Sequence, residues 1–223
     1  MLTHTSHQFL KNLELNNNRE WFHANRKDYD QVKENFENLC QMVLAEIVNF
    51  QENLLNTSVK SCIFRINRDV RFSVDKSPYK NHLAAAFGPG GRKSGKVDFY
   101  LHIQHNEKSF LGGGMWFPTS TQITSFRQEI DYSPNRLKNI IEEKKFKSYF
   151  NEIHGEKLKK TPKGYSAEHP DIELLKYKEL FFIHRFTDEE TLNKTFVSEV
   201  VYGCRILKPY LEYLNNLFFI EVN

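Results

Sequence analysis

The hydrophobic period of this chain changes twice, and this constrains its fold more than any other feature. Between residues 29 and 50, apolar side chains recur every third or fourth position: Tyr29, Val32, Phe36, Leu39, Val43, Ile47 and Phe50. Lys27, Asp30, Lys33, Glu34 and Glu37 fall between them, as on an amphipathic helix with one buried stripe. Over residues 97–104 the period drops to two. Val97, Phe99, Leu101 and Ile103 take one face, and Asp98, Tyr100, His102 and Gln104 the other. Such alternation belongs to a strand. After residue 187 the helical period returns with Leu192, Phe196, Val200, Leu207, Leu211, Leu214 and Phe218. Helices, then a sheet, then helices imply an α+β fold. The expected architecture is a single domain over residues 1–223: a central, mainly antiparallel sheet covered by helices, with long N- and C-terminal helices.

Local signals punctuate this pattern. Asn17 with Glu20 resembles a capping box, and Thr119 with Gln122 and Thr187 with Glu190 repeat it. Ser133-Pro134 marks a helix start, with proline at the first helical position. Pro209 should kink or split the last helix, because it lacks an N–H and clashes with the preceding turn. Residues 62–66, Leu83–Phe87, 109–117 and Leu180–Phe186 read as strands, with a turn over 105–108.

Composition narrows the function classes. Hydrophobic content of 39% with 19 Phe excludes a disordered chain and predicts an aromatic core. A formal charge of +3 is too small for a protein that coats long DNA. Cys40, Cys62 and Cys204 are scattered and odd in number, so no disulfide framework is expected. Neither a signal peptide nor a run long enough to cross a membrane is evident, and the expected compartment is the cytoplasm. The nine histidines form no HExxH or HxH cluster, so neither a metal nor a cofactor is expected.

The charge is concentrated in one place. Residues 65–80 carry five cations (Arg65, Arg68, Arg71, Lys76, Lys80) against two carboxylates (Asp69, Asp75), which leaves +3, the formal charge of the whole chain. Two readings compete. In one, the arginines and aspartates satisfy each other and pin a loop. In the other, Asp69 and Asp75 orient guanidinium forks whose remaining donors hold a phosphate or carboxylate. Three glycines (Gly112, Gly113, Gly114) before Trp116 point to close approach of a backbone or a ligand, or to a strand bulge.

The spacing R-x-x-R-D-x-R-F followed by D-K-x-x-Y is supplied by Arg65, Arg68, Asp69, Arg71, Phe72, Asp75, Lys76 and Tyr79. It resembles the conserved, functionally uncharacterised family of bacterial and fungal proteins known as domain of unknown function 2461. The run from Asn16 to Phe22, the glycines with Trp116, Pro162-Lys163-Gly164-Tyr165 and His169-Pro170 also look like family landmarks. The resemblance spans nearly the whole chain and implies one domain. It supplies no catalytic residue.

The leading expectation is therefore an anion-binding protein whose enzymatic character is open. Its ligand is a phosphate-bearing small molecule or a nucleic-acid end. The site would use Arg65, Arg68, Asp69, Arg71, Asp75, Lys76, Tyr79 and Lys80, with Gly113 and Trp116 as a further wall. The alternatives are a module that meets an acidic protein partner, and a purely structural Arg–Asp network.

One motif is set aside. Residues 90–96 match GxxxxGK, but Val97 stands where a P-loop places a metal-binding hydroxyl, and a period of two follows instead of a helix. Titrating Mg·ATP into wild type and Lys96→Ala should reveal no tight binding that depends on Lys96. Tight binding abolished by that single change would overturn this reading.

Overall fold

The computed structural model describes residues 2–219. Helix α1 (His4–Leu15) buries Phe9, Leu10 and Leu13. Of the asparagines that follow, Asn18 caps helix α2 (Arg19–Ala24), accepting the Trp21 N–H at 2.9 Å. The cap read at Asn17 is thus displaced by one residue. The Asn17 amide donates to the Tyr79 carbonyl at 2.9 Å, and its oxygen accepts the Tyr79 N–H at 3.1 Å. Helix α3 (Arg26–Ile47) carries the expected stripe but ends before Phe50. A 3₁₀ turn (Glu52–Leu54) precedes helix α4 (Val59–Cys62), where the Ser58 hydroxyl accepts the Ser61 N–H at 3.3 Å. The strand expected over 62–66 is replaced by the end of this helix and an antiparallel bridge from Ile63 to Ala85.

Strands β1 (Leu83–Phe87), β2 (Phe99–Ile103) and β3 (Ser109–Met115) follow. The turn between β2 and β3 places Asn106 and Glu107 at φ 62° and 59°, the left-handed pair of a tight hairpin. Helix α5 (Ser120–Tyr132) has the expected capping box, and helix α6 (Pro134–Ile141) starts on its proline. Helix α7 (Lys144–Tyr149), strand β4 (Glu152–His154), helix α8 (Ile172–Leu175) and strand β5 (Leu180–Phe186) come next. The third capping box starts helix α9 (Asp188–Leu192), which is shorter than the periodicity implied. The chain breaks at Asn193 and resumes as helix α10 (Phe196–Phe218). Pro209 does not split α10. Leu207, Tyr210, Leu211 and Leu214 are all buried, and their packing outweighs one lost backbone hydrogen bond.

The fold is α+β, and the five strands form an antiparallel sheet in the order β1-β2-β3-β5-β4. In its last pair Glu152, Ile153 and His154 face Ile183, Phe182 and Phe181. Contacts divide the chain into two compact units. The first comprises residues up to Gly95 with Tyr100–Leu111 and Arg185–Cys204. Its aromatic centre joins Phe22 to Tyr29 (centroids 4.9 Å apart) and to Tyr79, stacked at 3.9 Å and 16°.

The second unit comprises Lys96–Phe99, Gly112–His184 and the residues from Arg205 onward. Its core sets Phe182 edge-on to Phe146 (5.0 Å) and to Tyr210 (5.1 Å), and the Tyr210 hydroxyl donates to the Leu180 carbonyl at 2.7 Å. The glycine run is explained within this unit by close backbone and side-chain approach. A Cβ on Gly112 would stand 2.7 Å from the Phe182 carbonyl oxygen. One on Gly113 would stand 2.9 Å from Leu211 Cδ2 and 3.0 Å from Leu207 Cδ2. Gly114 combines φ +143° with a Cβ position 2.4 Å from the Leu180 carbonyl oxygen.

Gly114→Ala should therefore lower unfolding stability by at least about 2 kcal/mol, through overpacking and backbone strain together. Gly90→Ala shares a positive φ but meets open space, and should cost only about 1–2 kcal/mol. Urea melts of both variants check the order, and equal losses would refute the packing account.

Candidate functional site

The 65–80 segment is held as a narrow ribbon in the first unit. Phe64 N–H donates to the Ala84 carbonyl (2.9 Å), Lys80 N–H to Ile66 (2.8 Å) and Arg68 N–H to Pro78 (2.9 Å), and Asn67 bridges Tyr79. Tyr79 is 6% exposed, so its ring is an anchor in the aromatic core.

At the tip the charges satisfy each other. Arg71 forks Asp69 through Nε (2.9 Å) and Nη2 (2.7 Å). Arg68 ion-pairs with Asp75 and also donates to the Ser77 carbonyl (3.2 Å) and the Ser73 hydroxyl (3.3 Å). Lys76 donates to the Val70 carbonyl at 3.0 Å. The Ser77 hydroxyl and N–H, then Arg68, hold the Asp75 carboxyl down at about 2, and Arg71 lowers that of Asp69. Phe72 and Val74 stand 96% and 101% exposed between these pairs.

At the root the balance differs. Among the described residues the Arg65 guanidinium makes no hydrogen bond or ion pair. Its charge reaches Asp69, which Arg71 already forks. Lys80 Nζ donates to the Arg65 carbonyl (2.8 Å) and lies 5.4 Å from the centre of the Phe64 ring. Arg92 is fixed from the loop after β1 by its Nη1 donating to the Ser61 carbonyl at 2.8 Å. Burial, then Arg65 and Arg92, push the Lys80 ammonium below its ordinary pKa, and among the described residues no carboxylate pairs with it.

Beside these cations runs a ladder of rings. His82 stacks on His102 (4.2 Å, 27°), and His102 on Phe110 (4.7 Å, 12°). Tyr100 and Phe64 continue it at 5.8 Å from Phe110 and 6.0 Å from Tyr100, respectively. His102 Nε2 pairs with the Gln104 side-chain oxygen at 2.9 Å, which assigns its proton to Nε2 and leaves Nδ1 to accept from the Tyr100 hydroxyl at 3.4 Å. Burial drives His82 down to about 3, with His102, Lys80 and Arg68 adding to the effect. Burial also raises Tyr100 to about 12. The root thus presents a neutral, desolvated imidazole beside cations, an environment that favours an anion.

The structure therefore gathers eight of the expected residues into one loop but divides their roles. Arg68, Asp69, Arg71, Asp75 and Lys76 bind each other or the loop's own backbone, Tyr79 anchors, and Arg65 and Lys80 face the ladder's end of the ribbon. Gly113 and Trp116 belong to the second unit. Phe64, His82, Tyr100, His102, Phe110 and Arg92 escaped the sequence reading. The signal for part of this set was visible in β2: a strand's polar face is seldom filled by Tyr and His when it only meets water.

A separate hollow in the first unit, of about 800 Å3, is lined by His7, His105 and Asp188. Its groups are engaged in part, and among the described residues His7 Nδ1 and His105 Nδ1 are buried without a hydrogen bond. His7 Nε2 meets the Thr191 hydroxyl at 2.6 Å, His105 Nε2 lies 2.5 Å from Glu14, and Asp188 accepts the N–H groups of Asn106 and Glu107 at 3.0 and 3.1 Å. Thr191 is not an activated nucleophile, because it is 2% exposed and its hydroxyl donates to the Asp188 carbonyl at 2.7 Å. Among the described residues no cluster of three or more His, Cys, Asp or Glu side chains could hold a metal ion.

An α+β chain with an arginine-rich ribbon beside a ring ladder is the class that fold and site define. The chain belongs to the family described as conserved hypothetical protein (DUF2461), whose model matches residues 5–213. A search of curated proteins gives no significant match. A search of solved structures likewise gives none.

The tip pairs set a pH dependence. The pKa of Asp75 is depressed, so its contribution is complete above its unfolded value of 3.8 and is lost as pH falls through about 2. Carboxyl 13C titration should place its midpoint near 2, and both Ser77→Ala and Arg68→Met should raise it toward 3.8. An unshifted midpoint in both variants would show that the tip pairs do not form.

Proposed function

We propose that this protein binds a phosphate-bearing ligand, a small molecule or a nucleic-acid end, at the root of the 65–80 ribbon. One observation carries the reading: among the described residues Arg65, Lys80 and Arg92 are gathered with no carboxylate bonded to Arg65 or Lys80, the charge of Arg65 reaching Asp69, which Arg71 already forks, whereas Arg68 and Arg71 at the tip are ion-paired. Arg65 and Lys80 would hold the phosphate, with Arg92 adding charge. The half-buried rings of Phe64, His82 and Tyr100 would offer apolar contact to the rest of the ligand. Asp69, Asp75 and Lys76 fix the ribbon that presents these groups, and Tyr79 ties it to the core. The neutral His82 would accept a proton as an anion arrives, because a nearby negative charge favours imidazolium. The reading assigns binding and leaves chemistry at the ligand unassigned.

A second reading rests on Phe72 and Val74. Two apolar side chains almost fully exposed among Arg68, Arg71 and Lys76 suit a protein partner with an acidic, partly apolar surface. Cys40, Cys62 and Cys204 are all buried, and among the described residues none forms a disulfide, which supports placing either function in the reducing cytoplasm. Among the described residues no helix is long and apolar enough to cross a membrane.

The experiment uses pyrophosphate, a mononucleotide and a short 5′-phosphorylated oligonucleotide as probes. At least one should bind, with affinity reduced by about 1.5–3 kcal/mol in Arg65→Met or Lys80→Met, for one lost charged hydrogen bond. Imidazole NMR should show the His82 pKa rising from about 3 on binding. Binding of an acidic peptide carrying apolar residues, weakened by Phe72→Ser but not by Arg65→Met, would favour the protein-partner reading. Binding indifferent to both, or none, would leave the ribbon a structural element.

A further inference from the structure

In the second unit, β3 ends at Met115 and the chain leaves through Trp116, Phe117 and Pro118 before Thr119 caps α5. Phe117 sits at φ +43°, a left-handed conformation that bulky residues avoid. Its ring nevertheless stays 78% exposed, and Trp116 is 50% exposed. The two rings meet at a corner, 5.0 Å apart and 73° inclined, with Phe181 a third ring 5.6 Å from Trp116 at 63°. Pro118 and Ile123 extend this wall around a hollow of about 600 Å3.

The opposite wall is charged. Gly155 has φ +150°, and a Cβ there would stand 2.1 Å from the Glu179 carbonyl oxygen, so glycine lets this segment pass close to Glu179. Glu156 is ion-paired to Lys178, whose N–H also donates to the Glu156 carbonyl at 2.8 Å. Glu179 lines the hollow half-buried and, among the described residues, its carboxylate has no hydrogen bond or ion pair. The three charged groups leave one net negative charge facing two exposed aromatic rings.

The geometry points to a site for an alkylated ammonium group, held against Trp116 and Phe117 with Glu179 as its counter-charge. Ring faces attract a cation within about 6 Å, and most strongly when it is poorly hydrated. Alkyl groups supply the apolar contact that this wall offers, which a bare ammonium does not. An anion is disfavoured by the same carboxylate. The chemistry fits a free choline-like molecule or a trimethyllysine side chain.

The test uses the full chain with Trp21→Phe, so that Trp116 is the tryptophan source of emission. Choline should give a saturable change. Its neutral isostere 3,3-dimethylbutan-1-ol should bind at least about tenfold more weakly. Glu179→Gln, which keeps the shape of the wall, should reduce choline affinity toward that of the alcohol and leave the alcohol unaffected. A trimethyllysine peptide that displaces choline, where the unmodified peptide does not, supports a side-chain ligand. Choline binding that neither peptide disturbs supports a free molecule. Equal affinities for choline and the alcohol, or no saturation in a variant whose circular dichroism is native, would overturn the assignment.

Discussion

The candidate site depends on a double hydrogen bond between two residues 62 positions apart. Asn17 uses both ends of its amide to satisfy the N–H and the carbonyl of Tyr79, as a neighbouring strand would. The Tyr79 ring is meanwhile stacked on Phe22 in the core. A ribbon with few ladder bonds of its own is thereby fastened at its returning limb. Everything that matters electrostatically follows from this point: Lys80 is the next residue, and His82 stands two further on.

Fastening the ribbon sorts its charges into two populations. At the tip, carboxylates lie two to seven residues from their arginines, and local geometry lets each cation find a partner. At the root, the ribbon turns into β1 and meets the anchored Arg92, where cations accumulate and rings replace carboxylates. Such an arrangement costs free energy in the unliganded protein, because desolvation and mutual repulsion both disfavour the charged forms. The depressed Lys80 and His82 record that cost, which the anion proposed above would offset on binding.

The second unit shows how small residues arrange large ones. Its glycine run serves packing: Leu207, Leu211 and the start of β5 approach β3 more closely than any Cβ would allow. Tight packing at the end of β3 leaves Trp116 and Phe117 to emerge at the surface, one of them in a strained backbone conformation. Gly155 does the same for the opposite wall. The hollow between an aromatic corner and a carboxylate that, among the described residues, makes no hydrogen bond or ion pair thus follows from where side chains had to be absent.

Features whose physics is local were legible in the sequence. The boxes at Thr119 and Thr187, Pro134 at a helix start, the alternation through β2 and the turn after it each depend on contacts a few residues apart, and each forms as read. The family was legible too, because its motif is a spacing. Which of three adjacent asparagines caps α2 was not legible, since the choice is made by Tyr79 far along the chain. Nor could composition separate paired arginines from one that makes no ion pair among the described residues, or show that Tyr100 and His102 of β2 join Phe110 of β3 and His82, just before β1, in one ladder. The sequence by itself determined the elements and concentrated the charge in one segment. Only the tertiary structure decided which charges are neutralised and which rings stand beside the rest, because pairing and desolvation depend on distances between residues that the chain brings together only by folding.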